Sequence, residues 1–140
     1  MSLKEVAAKV FANYIHGKTQ RWVNNPIQTQ QRVFRRLLDK AADTEFGKDH
    51  GFKTIRSFED FSKQVPIRDY EELKPYVNKV VEGEIDLLWP GQPVYFAKTS
   101  GTTSGAKYIP ITKESIKYQI EASRNAMLNY IHETGKAGFV

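Results

Sequence analysis

A run of nine residues, Thr99 to Lys107, is the part of this sequence best suited to chemistry. It reads Thr-Ser-Gly-Thr-Thr-Ser-Gly-Ala-Lys, so eight of the nine are Ser, Thr, Gly or Lys. Glycine allows positive φ and close backbone approach, so successive N–H groups can converge on an anion. Five hydroxyls add hydrogen-bond donors and Lys107 adds a positive charge. We predict a loop that binds a polyphosphate; a flexible, solubilising hairpin loop is the alternative.

The spacing within this loop excludes one common phosphate-binding pattern. The Walker A motif requires Gly-x-x-x-x-Gly-Lys followed by Ser or Thr. Counting from Gly101, the second glycine falls one place early, at Gly105, and Ala106 separates it from Lys107. Tyr108 stands where Ser or Thr would contact magnesium. An ordinary P-loop NTPase is therefore disfavoured, although the loop is longer than a tight hairpin needs, which favours a functional role.

The elements around the loop must position it. Val94–Ala97 and Tyr108–Ile111 are short runs of strand formers on either side, with Pro110 confining the second to an edge or a strand end. Thr112 should cap a last helix that Gly135 closes. Its predicted apolar stripe is Ile116, Ile120, Met127, Tyr130 and Ile131. Two strands alone make a marginal sheet, so we expect the missing strands beyond residue 140.

Helices are predicted to fill the first half of the chain. A first helix should stop near Gly17, and a second should start at Asn25-Pro26, with Asn as N-cap and Pro in the first turn. Residues 43–53 are typical of a loop, with Gly47 and Gly51. The predicted apolar stripes are Leu3, Val6, Ala7, Val10, Phe11, Tyr14 and Ile15 in the first helix, and Ile27, Phe34, Leu37, Leu38 and Ala41 in the second.

Two further short helices carry clear start signals. Ser57 with Asp60, and Asp69 with Glu72, have the spacing of capping boxes. Pro66 should end the first of these helices, and Pro75 should kink or end the other. Trp89-Pro90-Gly91 is typical of a loop.

Composition narrows the class of protein. The 140 residues fit one domain or part of something larger, and they contain no cysteine, which excludes disulfides and thiolate sites. No apolar run approaches the length of a membrane span, and the N-terminal residues lack the apolar stretch typical of a signal peptide, so we expect a cytoplasmic protein. Residues 1–40 hold eight basic and two acidic residues, so the net charge of this segment, +6, exceeds the +5 of the whole chain. A solvated helical face is the favoured interpretation of that charge; a nucleic-acid or membrane surface is the alternative.

The remaining candidates point to structural roles. His16, His50 and His132 lie far apart in sequence, which favours surface or capping roles over catalysis or metal binding. The acid pairs Glu59–Asp60 and Glu71–Glu72 fit first-turn positions that favour the helix dipole. Trp22 and Trp89 are interpreted as packing residues.

At this point the sequence resembles a known family. The loop is similar to the phosphate-binding loop of adenylate-forming enzymes, usually Thr-Ser-Gly-Thr-Thr-Gly-x-Pro-Lys, with Ser104 at the usual glycine position and Ala106 at the proline position. The displaced Gly105 resembles the Gretchen Hagen (auxin-responsive) family of acyl acid–amido synthetases. The same resemblance extends over nearly all 140 residues, through Thr44-Glu45-Phe46-Gly47, Phe58-Glu59-Asp60-Phe61, Val65-Pro66-Ile67, Tyr70-Glu71-Glu72-Leu73 and Trp89-Pro90-Gly91.

The resemblance implies an α/β fold and a reaction. Residues 1–140 would be an N-terminal fragment of the large ATP-binding domain, a helical segment plus the first strands of an incomplete sheet, without the C-terminal domain. ATP and Mg²⁺ are the implied cofactors, and a small carboxylic acid and an amino acid the implied partners, with no nucleic acid and no membrane. Lys107 would be catalytic, and no metal ligand is assigned in this chain. The implied ATP-binding residues are Thr99, Ser100, Gly101, Thr102, Thr103, Ser104, Gly105 and Lys107.

Two rivals remain open. An acyl-CoA ligase of the same superfamily would transfer the acyl group to coenzyme A instead of an amine. A non-enzymatic module would use the basic first two helices to bind a membrane or nucleic acid, and would leave the Thr99–Lys107 loop unexplained. The acyl substrate, the acceptor and the oligomeric state do not follow from the residues.

Overall fold

The structure, a computed structural model, describes residues 2–99 and 105–139. A series of helices precedes two strands, and a long helix follows them, which confirms the predicted fold class. The elements are α1 (Leu3–Val23), α2 (Pro26–Ala41), α3 (Glu45–Asp49), α4 (Phe58–Gln64), α5 (Tyr70–Val81), β1 (Tyr95–Thr99), β2 (Lys107–Ile111) and α6 (Lys113–Thr134). No helix in the described part of the chain is long and apolar enough to cross a membrane.

The chain divides into two compact units. One comprises Met1–Gln30 with Glu114–Val140, and the other comprises Gln31–Lys113. Each has its own apolar cluster.

In the first unit, α1 packs against α6. The buried cluster consists of Ala12, Ile15, Leu128, Ile131 and Ala137. Of the stripe predicted for α1, Ile15 alone is buried. In α6, Met127 and Ile120 of the predicted stripe are exposed, and the buried Leu128 was not predicted. Ala12 is buried and Ala8 packs against the cluster, so the buried face of α1 is rotated from the one that periodicity selects.

The ends of these two helices test the predicted boundaries. The Ser2 hydroxyl accepts the Glu5 N–H at 3.2 Å and caps α1. The predicted stop at Gly17 is wrong, because α1 continues to Val23. Glycine within a helix costs about 0.5–1 kcal/mol relative to alanine, which a long helix can absorb. Gly135 does close α6: it has φ +69° and donates its N–H to the Ile131 carbonyl at 2.8 Å.

The second unit is built on the end of α2. Its buried residues are Leu38, Ala41, Ala42, Phe52 and Ile55, with Phe34, Phe46, Phe61, Val65 and Trp89 packed around them. The predicted start of α2 at Pro26 is confirmed. Leu38 and Ala41 of its predicted stripe are buried, whereas Ile27 and Leu37 are exposed. The Arg35 guanidinium donates to the Ile55 and Arg56 carbonyls at 2.8 and 3.1 Å, so this basic residue has a structural role.

A short helix replaces the loop predicted over residues 43–53. Thr44 caps α3, and its hydroxyl accepts the Gly47 N–H at 3.0 Å. A side chain at Gly47 would overlap the Ala41 carbonyl, whose carbon lies 2.9 Å from an ideal Cβ. Glycine thus serves close packing of α3 on the end of α2, a packing requirement that propensity does not reveal.

The two capping boxes are confirmed. Ser57 and Asp60 close the start of α4, and Asp69 and Glu72 close the start of α5. Pro75 does not end α5, which runs on to Val81.

The strands form a two-stranded antiparallel sheet. The register runs from Tyr95 opposite Ile111 to Thr99 opposite Lys107, and Pro110 lies opposite Phe96. Both strands reach further toward the loop than predicted, β1 to Thr99 and β2 from Lys107.

Candidate phosphate-binding site

The last residue pair of the sheet comprises the two ends of the predicted loop. Thr99 and Lys107 are register partners, so the two residues that bracket the loop lie directly opposite each other. Ser100, Gly101, Thr102, Thr103 and Ser104 lie outside the described residues. The structure therefore describes Thr99, Gly105 and Lys107 of the predicted ATP-binding set.

Gly105 has the conformation that its residue type favours. Its φ is +80°, in the left-handed region that side chains rarely adopt. Among the described residues, an ideal Cβ would meet nothing within 4 Å, so the positive φ is the observed reason for glycine at this position. This glycine is the one displaced from the usual position in adenylate-forming enzymes.

Tyr70 connects Lys107 to a helix start. The Lys107 ammonium lies 5.3 Å from the centroid of the Tyr70 ring, within the range of a cation–π interaction. The neighbouring Tyr108 N–H donates to the Tyr70 hydroxyl at 2.8 Å. Tyr70 is the first residue of α5, directly after the Asp69 cap. The start of β2 is thereby held against a helix end that is itself fixed by a capping box.

Sequence reasoning did not find this role of Tyr70. The tyrosine lies 38 residues before Tyr108, and no periodicity links the two. The one feature of the sequence that singles out Tyr70 is its place at the start of Tyr70-Glu71-Glu72-Leu73, a stretch that carries the family resemblance.

An apolar pocket lies next to β2 in the same unit. It is lined by Val80, Leu87, Leu88, Trp89, Pro93 and Pro110 among others. Trp89 also packs against the core, as predicted, and the Lys40 ammonium lies 5.8 Å from its ring centroid. Trp22, by contrast, is 54% exposed, so the predicted packing role is wrong for this residue.

Two acidic residues of this unit, Asp60 and Glu45, make hydrogen bonds or ion pairs that support the fold. Asp60 accepts the Arg56 and Ser57 N–H groups at 2.9 and 3.0 Å, and these bonds lower the pKa of its carboxyl. Glu45 of α3 pairs with Lys79 of α5 at 2.7 Å, and this hydrogen bond raises the pKa of Lys79. The first-turn roles predicted for the acid pairs are confirmed.

Two of the three histidines meet in the folded chain. The rings of His16 and His132 stack with centroids 3.7 Å apart, although the residues lie far apart in sequence. His132 lies in the last turn of α6, as predicted for a residue that caps a helix end, whereas His16 lies within α1, which continues to Val23. His50 follows the capping prediction, since it ends α3 with its Nδ1 at 2.7 Å from the Phe46 carbonyl.

Solved structures share this fold. The structure of the GH3.15 acyl acid amido synthetase matches with a TM-score of 0.72 and 26% identity over 80% of this chain and 20% of that one. A second structure, AtGH3.15 acyl acid amido synthetase in complex with 2,4-DB, matches with a TM-score of 0.76 and 24% identity over 86% of this chain and 21% of that one. The fold is that of a region within an acyl acid amido synthetase.

The sequence identifies the family. The GH3 family N-terminal domain matches residues 16–138, so the chain belongs to the GH3 (Gretchen Hagen) family. Indole-3-acetic acid-amido synthetase GH3.15 of Arabidopsis thaliana is 33% identical over 79% of this chain. Jasmonoyl--L-amino acid synthetase JAR4 of Nicotiana attenuata is 22% identical over 71% of it. The chain spans less than a fifth of each relative, 19% and 18% respectively.

Proposed function

We propose that these residues form the N-terminal part of the ATP-binding domain of an acyl acid–amido synthetase. Such an enzyme would activate a small carboxylic acid with ATP and transfer it to an amino acid amine. The observation that carries the proposal is the pairing of Thr99 with Lys107, at the ends of a loop rich in glycine and hydroxyls, in a chain of the GH3 family. We further propose that the protein is cytoplasmic.

The proposed roles follow from the charge that develops in the reaction. When an acyl carboxylate attacks the α-phosphorus of ATP, pyrophosphate leaves and negative charge builds on it. Residues 100–105 would surround the β- and γ-phosphates with N–H groups and hydroxyls, and the Lys107 ammonium would neutralise the charge of the leaving group. Tyr70 would hold Lys107 in place through its ring. The protein contributes alignment and charge stabilisation.

Magnesium is proposed to enter with ATP, where it would supply positive charge that offsets the charge of the phosphates. Among the described residues at this end of the sheet, Lys107 offers an ammonium and Thr99 a hydroxyl. Mg²⁺ prefers carboxylate and other oxygen ligands in an octahedral arrangement. This donor set suits phosphate oxygens rather than a cation, so we assign no magnesium ligand to this chain.

The decisive test is ATP–pyrophosphate exchange by the full-length protein carrying Lys107→Ala. Loss of one preorganised charge at a transition state typically costs about 10²–10³ in rate, and we expect a fall of that order. Lys98→Ala is the matched control, because Lys98 is an exposed lysine on the neighbouring strand β1, and its exchange should stay close to wild type. An unchanged rate in folded Lys107→Ala would overturn the assignment.

The second step distinguishes the two enzymatic alternatives. Incubation of the full-length protein with ATP and a panel of carboxylic acids should give an amide when amino acids are supplied. The relatives favour this outcome, since one is an indole-3-acetic acid-amido synthetase and the other a jasmonoyl--L-amino acid synthetase. Formation of a coenzyme A thioester instead, detected by mass spectrometry, would establish the acyl-CoA ligase.

A further inference from the structure

We propose that His16, His132 and Glu133 form a binding site for a divalent transition-metal ion, Zn²⁺ above all, that links α1 to α6. The three residues each offer one ligand atom, and these atoms all lie within 4.8 Å of one another. Packing of α1 on α6 brings the histidines together from positions far apart in the chain. The site lies in the first unit, whereas the residues proposed to handle ATP lie in the second.

The hydrogen bonds indicate which nitrogen of each ring bears a lone pair. His132 Nδ1 lies 2.7 Å from the Asn13 side-chain oxygen, so Nδ1 carries the proton and Nε2 keeps its lone pair. An oxygen acceptor behind the ring is the usual outer-shell partner of a metal-bound histidine, because it fixes the tautomer and orientation. Gln20 Nε2 lies 3.2 Å from His16 Nε2, and since the amide nitrogen donates, this ring nitrogen also bears a lone pair.

The donor set selects the class of ion. Two imidazoles and a carboxylate, with water in the fourth position, are a common tetrahedral Zn²⁺ set, and imidazole also suits Cu²⁺ and Ni²⁺. Zinc–nitrogen bonds of about 2.0–2.1 Å require the ligand atoms to draw closer than they lie here. Both histidines are half-buried and Glu133 is exposed, so side-chain rotation can supply this movement.

Metal binding must open the ring stack. The rings lie 3.7 Å apart and 16° from parallel, so their in-plane lone pairs do not converge on one point. Rotation of the rings out of the stack would let both nitrogens face one ion, and would displace the Gln20 amide from His16 Nε2. Gln20 therefore competes with the metal ion for the lone pair of His16 Nε2.

The first experiment adds ZnCl₂ to the metal-free 140-residue chain and records the histidine ring signals by NMR. The three histidines provide an internal control, because His50 is buried against Phe46 in the other unit. We expect the His16 and His132 signals to shift together at one equivalent of Zn²⁺ while those of His50 stay in place. Absence of any shift, or an equal shift of all three, would overturn the site.

Calorimetric titration with ZnCl₂ then assigns the ligands. His16→Ala and His132→Ala should each weaken binding by at least about tenfold, the lower limit for disturbing even an outer-shell partner. Gln20→Ala should bind as tightly as wild type or more tightly, because it removes the competitor. Zinc should also raise the melting temperature of wild type and not of His132→Ala, since a ligand of the folded state stabilises it.

Failures of folding are separable from failures of binding. Far-UV circular dichroism of each variant checks that the helices remain, and Glu133→Gln, at an exposed position, changes the ligand with little risk to packing. It should weaken Zn²⁺ binding less than loss of either histidine does. Wild-type affinity in folded His16→Ala or folded His132→Ala would overturn the proposal.

Discussion

At the scale of single residues, Tyr70 does two things for the candidate site. Its hydroxyl accepts the Tyr108 N–H, and its ring faces the Lys107 ammonium. The two contacts can be removed in steps, since Tyr70→Phe removes only the hydroxyl and Tyr70→Ala removes both the hydroxyl and the ring. Tyr70 is therefore the residue through which the position of Lys107 can be tested without changing its charge.

We predict that Tyr70→Phe lowers the stability of the chain, and that Tyr70→Ala lowers it and also weakens ATP binding. Removing the hydroxyl should cost about 0.5–1.5 kcal/mol of stability, the net worth of one hydrogen bond. Loss of the ring should additionally raise KM for ATP in the full-length enzyme, because Lys107 loses its support. Exchange kinetics and urea unfolding measure the two effects, with Tyr95→Phe, on exposed Tyr95, as control. A wild-type KM in Tyr70→Ala would show that Lys107 needs no such support.

Two glycines should respond in opposite directions to the same substitution. Gly47→Ala forces a Cβ against the Ala41 carbonyl and should destabilise the chain by about 1–3 kcal/mol, as overpacking does. Gly17→Ala, in the interior of α1 with nothing within 4 Å of the new atom, should stabilise it by about 0.5–1 kcal/mol. Denaturant unfolding of both variants checks the signs. Equal effects of the two changes would contradict the packing of α3 on α2.

Long-range contacts explain which residues sequence reasoning missed. Lys107 and Thr99 could be proposed from the sequence because the composition of a loop is local information, and their role in ATP binding stays a prediction. Tyr70, Gly47 and the His16–His132 pair take their roles from elements that meet only in the folded chain. Periodicity identifies that a helix has an apolar face, but it does not determine which part of that face a neighbour covers, so Met127 was predicted to be buried where Leu128 is.

At the scale of elements, the helix starts were the most predictable features. Ser57 with Asp60 and Asp69 with Glu72 are reciprocal hydrogen-bonding pairs three residues apart, and each fixes a helix end by itself. The short helix α3 was missed because its five residues form through the Thr44 cap and contacts of its backbone with residues 86–87. The central residues of the candidate loop, 100–104, lie outside the described residues, so their assignment remains a prediction.

The hydrogen bonds of Asp60 in the cap of α4 should make the stability of the fold depend on pH in the acid range. Backbone N–H bonds from Arg56 and Ser57, with the Ser57 hydroxyl, lower the pKa of Asp60 below its ordinary value of 3.8 in the folded chain. The unfolded chain therefore binds the proton more readily, and Asp60 stabilises the fold above pH 3.8. That contribution is lost as the pH falls from 3.8 through the lowered folded value.

Asp60→Asn should accordingly flatten the stability profile on the acid side. Urea unfolding between neutral pH and pH 3 should show a smaller loss in the variant than in wild type. Glu59→Gln is the matched control, because the neighbouring carboxylate pairs with the Lys63 side chain and not with the cap. An acid profile of Asp60→Asn that parallels wild type would mean that the cap does not distinguish the folded from the unfolded carboxyl.

At the scale of the whole molecule, the chain holds one side of the proposed site. The sheet of the described residues has two strands, while the GH3.15 relative is about four times as long as this chain, since 79% of the chain covers 19% of it. A nucleotide needs contacts to base and sugar as well as phosphate, and small-molecule sites bury most of their ligand. In the proposed site, the described residues Thr99 and Lys107 would lie at the phosphate end of the nucleotide.

We therefore expect the 140-residue chain to bind ATP weakly or undetectably by calorimetry, and the full-length protein to bind it measurably. Any heat that the short chain shows should fall with added salt, because a contact made through the Lys107 charge is screened, and should vanish in Lys107→Ala. Lys98→Ala, on the adjacent strand, should leave it unchanged. Tight, salt-insensitive binding by the short chain would show that its residues also enclose the base and ribose, and would move the adenine site into this part of the protein.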